Sequence, residues 1–154
     1  MILALDFDGV LHPDVNDPDV HFCHLRGLVD MLKTDAFAHI EILVTSTWRI
    51  DRTHENEAVL HPFDVVQAYF PADIRSRVVG MTPYLGEWAP CIREKEILAW
   101  LLAAGKQDSP WLAIDDMAGL FSQDCPNLFL TKSAIGLNSL VLKDLRKKSE
   151  EMSG

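Results

Sequence analysis

At 154 residues, 48% of them apolar and 24% charged, the chain has the size and balance of one globular domain with a substantial core rather than a disordered tract. Lys and Arg total 14 against 23 Asp and Glu, a formal net charge of −9, which argues against a broad nucleic-acid-binding surface or attraction to an anionic membrane. No apolar run approaches the roughly 20 residues that cross a bilayer, and Cys23, Cys91 and Cys125 are odd in number and form no CxxC pair, so reduced thiols in a cytoplasmic protein are expected.

The chain opens on MILALDFDGVLH. A short apolar run closed by glycine predicts a strand buried on both faces, as in a parallel sheet. Its early meeting with Asp6, without a basic stretch before it, argues against a signal peptide. Asp6 and Asp8 then belong at the strand's carboxyl end, where such sheets bind ligands. Two acids two residues apart repel in a dry crevice unless a cation or a shared proton intervenes. Gly9 lets the chain turn away at once. Taken alone, the motif is more often a solvated turn after an ordinary strand; three later segments supply the parts that change this.

Residues 13–22, rich in Pro, Asp and Asn, predict a loop. His12, His21 and His24 fit no common metal-ligand spacing. Leu25, Leu28, Val29 and Leu32 recur at helical period and predict an amphipathic helix over 24–36. Residues 40–47 predict a second buried strand ending in Thr45, Ser46 and Thr47, whose hydroxyls suit a phosphoryl oxygen as well as they suit β-structure. Arg49 either grips a phosphate with its planar fork or holds a structural partner.

Weak helical patterning follows around 55–60 and 63–70, punctuated by Pro62 and Pro71, and 75–80 leads into a third strand. The spacing over 91–104 predicts a helix with Ile97, Leu98, Leu101 and Leu102 inward and Gly105 as its C-cap. Arg93 and Lys95 in its first turn oppose the helix dipole, which points to an anion nearby, unless Glu94 and Glu96 merely balance them. Residues 111–116 repeat the opening design, an apolar strand closed by Asp115 and Asp116. A last short strand is expected at 127–131. A closing helix over 134–148 follows, with Leu137, Leu140, Val141 and Leu145 inward. The domain is thus read as 1–148, with a polar tail over 149–154.

Strands alternating with helices predict a single three-layer, Rossmann-like α/β domain on a parallel sheet with right-handed crossovers. Its strand ends then gather an acid pair, a hydroxyl, a cation and a second acid pair in that order. This set resembles the four motifs of the haloacid-dehalogenase-like (HAD) phosphohydrolase superfamily over nearly the whole chain. The DFDGVLH and apolar-IDD stretches are the specific elements. Thr45-x-x-Trp-Arg49, Arg93-x-x-x-Ile-x-x-Trp-Leu and Gly136-Leu137 are similar to a subgroup of compact HAD domains that includes modules attached to RNA-repair proteins.

The resemblance implies a phosphatase with Asp6 as nucleophile, forming an aspartyl-phosphate. Asp8 would act as general acid and then base, its backbone carbonyl also meeting the metal. Thr45, or Ser46, would hold a phosphoryl oxygen. Asp115 and Asp116 would bind Mg²⁺ together with Asp6, a hard-oxygen set that suits this ion. The family's cation is usually Lys; here Arg93 or Lys95 must serve, and Arg93 shares the face of Ile97 and Leu101. Dehalogenases lack an acid at the position of Asp8, so the resemblance favours phosphate-ester hydrolysis. Neither 9–40 nor 81–91 has room for a cap domain. An open site of that kind suits a phosphorylated small molecule, polymer end or protein. Two other readings stand beside it: a HAD-like module that only binds a phosphate or a partner, and a two-component receiver domain, whose motif order differs. The oligomeric state is open.

Overall fold

The first strand hides because every residue in it is apolar: β1 (Ile2–Leu5) is buried throughout. In a computed structural model, which describes residues 1–55, 57–87 and 89–154, β1 pairs on both sides. After it come α1 (Leu25–Leu32), β2 (Glu41–Val44), β3 (Ile50–Asp51), β4 (Val59–Leu60), α2 (Phe63–Gln67), α3 (Ala72–Arg75) and β5 (Val78–Met81). The chain then continues through α4 (Ile92–Ala103), β6 (Trp111–Asp115), β7 (Leu128–Leu130) and α5 (Ser139–Ser153).

Five strands form one parallel sheet in the order β5-β2-β1-β6-β7. The chain builds outward from β1 through β2 to β5, then returns by α4 to place β6 on the other side of β1. Leu5 is level with Val44 on one side and with Ile114 on the other. The direction of winding therefore reverses between β1 and β6, the point at which open α/β sheets form their ligand crevice.

Side chains alternate across β1. Leu3, Leu5 and the following Phe7 join α1, α2, α3 and α5 in one core layer. Ile2 and Ala4 face α4 through Ile97 and Leu101. The sheet thus lies between two helical layers, the three-layer α/β arrangement expected, with no cap domain among the described residues. Among the described residues, no helix is long and apolar enough to cross a membrane.

Several local expectations need correction. The stretch 55–60 is not helical: β3 and β4 make a small antiparallel hairpin, with Ile50 opposite Leu60 and Asp51 opposite Val59, and Asn56 lies outside the described residues. Ile50 and Val59 are β-branched, and Ala58, Val59 and Leu60 are contiguous rather than spaced at helical period, so the stretch presents no helical apolar face. In α4 the inward face is Arg93, Glu96, Ile97 and Leu101, whereas Leu98 and Leu102 are exposed. The face admits two charged residues because each has a buried partner. In α5, Leu140 is exposed and Leu137 is buried before the helix begins. The polar tail expected over 149–154 is instead the last turns of α5. Leu145, Ser149 and Met152 keep one inward face at spacings of four and three, so Ser149 is fully buried and Met152 packs on the core.

Candidate active site

Backbone pairing continues past the strand ends. Thr82 N–H donates to Val44 O (3.0 Å), Thr45 N–H to Leu5 O (3.0 Å), Asp6 N–H to Ile114 O (3.1 Å) and Thr131 N–H to Asp115 O (2.9 Å). Thr82, Thr45, Asp6, Asp115 and Thr131 consequently stand in a row along the carboxyl edge of the sheet. All five are buried.

Asp6, Asp115 and Asp116 each bring a carboxylate oxygen within 4.8 Å of the others. Arg93, reaching in from α4, lies between two of them: its NH1 is 3.0 Å from Asp6 Oδ2 and 2.7 Å from Asp115 Oδ2. The other Asp115 oxygen accepts Met117 N–H (2.9 Å), and Asp116 Oδ2 accepts Ser133 O–H (2.6 Å). Gly9, at φ +71°, supplies the space: a Cβ there would lie 2.2 Å from Asp116 Oδ2. A side chain at position 9 and the carboxylate at 116 cannot coexist as placed.

Three carboxylates against one guanidinium leave this corner short of positive charge. Burial pushes the Asp6 carboxyl above its ordinary value, against the pull of Arg93. Asp115 is raised to about 7 by burial first and by Asp6 second, with Arg93 opposing. Burial works to lower the Arg93 value, but Asp6 and Asp115 together outweigh it and hold the guanidinium above its usual range. The donor set consists of hard carboxylate oxygens converging in a partly dry crevice, and a divalent ion such as Mg²⁺ fits both its chemistry and its charge deficit.

Asp8 stands at the rim, two residues on, with Phe7 between the two acids turned into the core. Two donors hold its carboxylate. Trp48 Nε1–H lies 3.0 Å from Oδ2 and 3.1 Å from Oδ1, and His12 Nε2 lies 2.8 Å from Oδ1. Phe22 N–H donates to His12 Nδ1 (3.2 Å), which makes Nδ1 the acceptor and leaves the ring proton on Nε2, facing Asp8. His12 is 1% exposed. His12 and Trp48 both lie in stretches that carry the family resemblance, but no local signal in the sequence marks either as a partner of Asp8.

The remaining candidates separate cleanly. Thr45 is beside Asp6 on the neighbouring strand. Ser46 caps a short helical turn, its Oγ accepting Trp48 N–H (3.2 Å). Lys95 is exposed on α4, whereas Arg93 lies on its inward face. Arg49 does not face a phosphate site, which corrects the first of its two readings. Its Nε–H donates to Thr82 O (2.9 Å), NH1 to Thr45 O (2.7 Å) and Ser46 O (3.0 Å), and NH2 to Pro83 O (3.2 Å) and Glu96 Oε2 (2.9 Å). A guanidinium has five N–H donors, and all are committed. Arg49 is a buried brace that ties the end of β2 to the end of β5 and to α4.

The chain matches the family model described as the HAD domain in Swiss Army Knife RNA repair proteins over residues 2–140. No curated protein and no solved structure gives a significant match.

Proposed function

The chain belongs to the HAD domains of Swiss Army Knife RNA repair proteins, and from that premise we propose that it is a Mg²⁺-dependent phosphomonoester hydrolase. The observation that carries the proposal is the convergence of Asp6, Asp115 and Asp116 on one corner, with Asp8 held at its rim by two N–H donors.

In this reading Asp6 Oδ attacks phosphorus. The Asp6–phosphoryl bond forms as the bond to the leaving oxygen breaks, and Asp8 delivers a proton to that oxygen. Water then attacks the aspartyl-phosphate, giving its proton to Asp8, and inorganic phosphate leaves with Asp6 regenerated. Arg93, fixed between Asp6 and Asp115, keeps the nucleophile from swinging toward Asp8 and lowers the repulsion between the acids. Thr45, which follows β2 and is level with Asp6, donates its hydroxyl to a phosphoryl oxygen. Asp6, Asp115 and Asp116 would hold Mg²⁺, which supplies positive charge against the phosphoryl oxygens when bound.

The substrate is a phosphorylated compound that enters an uncapped crevice; the three free cysteines accord with a reducing, cytoplasmic setting. Hydrolysis of an aryl phosphate with Mg²⁺ tests the proposal. Turnover should require the metal and disappear in Asp6→Asn and Asp8→Asn. A wild-type protein inert toward a broad panel of phosphate esters would instead mark a module that only binds.

A further inference from the structure

One large opening meets Asp8. It is a cleft of about 610 Å³ lined, among the described residues, by Asp8, Thr47, Trp48, Tyr69, His61 and Arg52 with their neighbours on the β3–β4 hairpin. A volume of that order holds a drug-sized or nucleoside-sized group. A neighbouring cavity, which shares Thr47, Ile50 and Arg52 with the cleft and reaches Arg93 and Tyr84, measures about 60 Å³, room for little beyond water.

Two rings shape the cleft wall next to Asp8. Trp48 and Tyr69 are half-buried and meet edge to face, with centroids 5.5 Å apart and planes at 81°. Rings further in support both. Phe7 contacts each of them edge-on, at 6.2 and 5.7 Å. Phe22 stacks on Tyr69 at 5.7 Å and meets Trp48 edge-on at 5.1 Å. Phe22 holds φ +60°, a conformation that strains a bulky residue. In exchange its ring backs the wall and its N–H fixes the His12 tautomer. Trp48 serves both parts, since its indole N–H holds Asp8 and the residue also lines the cleft.

We propose that this cleft seats the leaving group of the substrate, and that the leaving group carries a planar ring packed into the Trp48–Tyr69 corner. The inference rests on the phosphatase reading, because it is the proton delivered from Asp8 that puts the leaving oxygen at this end of the site. A flat ring stacks on one wall while meeting the other edge-on, the two favourable aromatic geometries. A rigid, pre-built corner loses little conformational freedom when it is filled.

Matched esters isolate the ring from the chemistry. Ethyl and 2-phenylethyl phosphate share a primary alkyl leaving oxygen, as do ribose 5-phosphate and a nucleoside 5′-monophosphate. In each pair the ring-bearing member should have the higher kcat/KM, by on the order of tenfold or more, mainly through KM. The pair with the larger ratio identifies whether an aryl group or a nucleobase is the better occupant. Tyr69→Ala should bring the ratio down toward one. Turnover of all four esters with ratios within about twofold would overturn the cleft assignment and leave the phosphatase reading standing. Absence of Mg²⁺-dependent turnover of any of them would remove that reading and this inference with it. The wild-type ratios decide the matter even where the variant fails to fold.

Discussion

Replacing Arg49 with Met separates a brace from a ligand-gripping residue. In the native chain Arg49 and Glu96 side chains are 2% and 4% exposed and lie 2.9 Å apart. Methionine fills much of the same volume but returns none of the five hydrogen bonds. Glu96 keeps one bond, from Leu85 N–H (3.0 Å), and loses its counter-charge in a dry environment. The carbonyls of Thr45, Thr82 and Pro83 lose a donor, while Ser46 O still accepts Arg49 N–H, a bond that the substituted backbone retains. Breaking one side of a buried ion pair typically costs about 3–5 kcal/mol. For a domain of this size about 2–4 °C of melting temperature corresponds to each kcal/mol, so Arg49→Met should melt roughly 6–20 °C lower. Glu96→Gln in the Arg49→Met background should recover part of that loss, since the stranded charge is gone. Thermal and urea denaturation of the four proteins in the cycle measure both effects. A melting temperature within about 2 °C of wild type, coupled with weakened phosphate binding, would refute the brace and return Arg49 to the ligand site.

Further outcomes follow from the same geometry. Asp115 is held at about 7 against an ordinary 3.8, so without metal the folded state binds more protons than the unfolded between about pH 4 and 7. This group's stabilising contribution is full below about pH 4 and is lost as pH rises through about 7. Urea denaturation in EDTA should show Asp115→Asn making that downward slope shallower, Asp6 keeping its own part of it; an unchanged slope contradicts the electrostatics given for the corner. Gly9→Ala should abolish Mg²⁺ binding by calorimetry, because its Cβ displaces the Asp116 carboxylate; wild-type affinity in that variant would show that Asp116 is not a ligand. Trp48→Phe and His12→Ala should lower kcat by between about tenfold and a hundredfold with a smaller change in KM, and a raised KM with kcat unchanged would assign them to substrate binding instead. The Thr82 hydroxyl is buried without a partner among the described residues, so Thr82→Val should raise stability by about 1 kcal/mol; a loss in the same denaturation experiment would reveal a partner for it.

The sheet was legible because each of its central strands is an uninterrupted apolar run that ends in a polar residue. The runs at 2–5, 42–44 and 111–114 announce both the strand and the edge on which Asp6, Thr45 and Asp115 emerge. Arg93 was legible as well, since a cation four residues before Ile97 shares its face. What the sequence concealed were interactions across long separations. Arg49 and Glu96 are 47 residues apart, and nothing local distinguishes a buried, fully bonded guanidinium from one waiting for a phosphate. Trp48 and Asp8 are 40 apart, so the indole donor emerges only when β1 and β2 lie side by side. The β3–β4 hairpin carries two residues per strand, too few for an alternating pattern to declare itself. The extension of α5 through Ser153 was hidden by its composition: its exposed faces are charged, and only the spacing of Leu145, Ser149 and Met152 marks an inward side.

The account stands on Asp6 accepting a phosphoryl group beside a divalent ion held by three converging carboxylates. A crystal structure with Mg²⁺ and fluoroberyllate addresses this directly. Beryllium should appear on an Asp6 carboxylate oxygen, with the cation among Asp6, Asp115 and Asp116 and the Asp8 carboxyl facing the adduct. Beryllium absent from Asp6 under those conditions, or a cation bound elsewhere while Arg93 alone fills the corner, would contradict it.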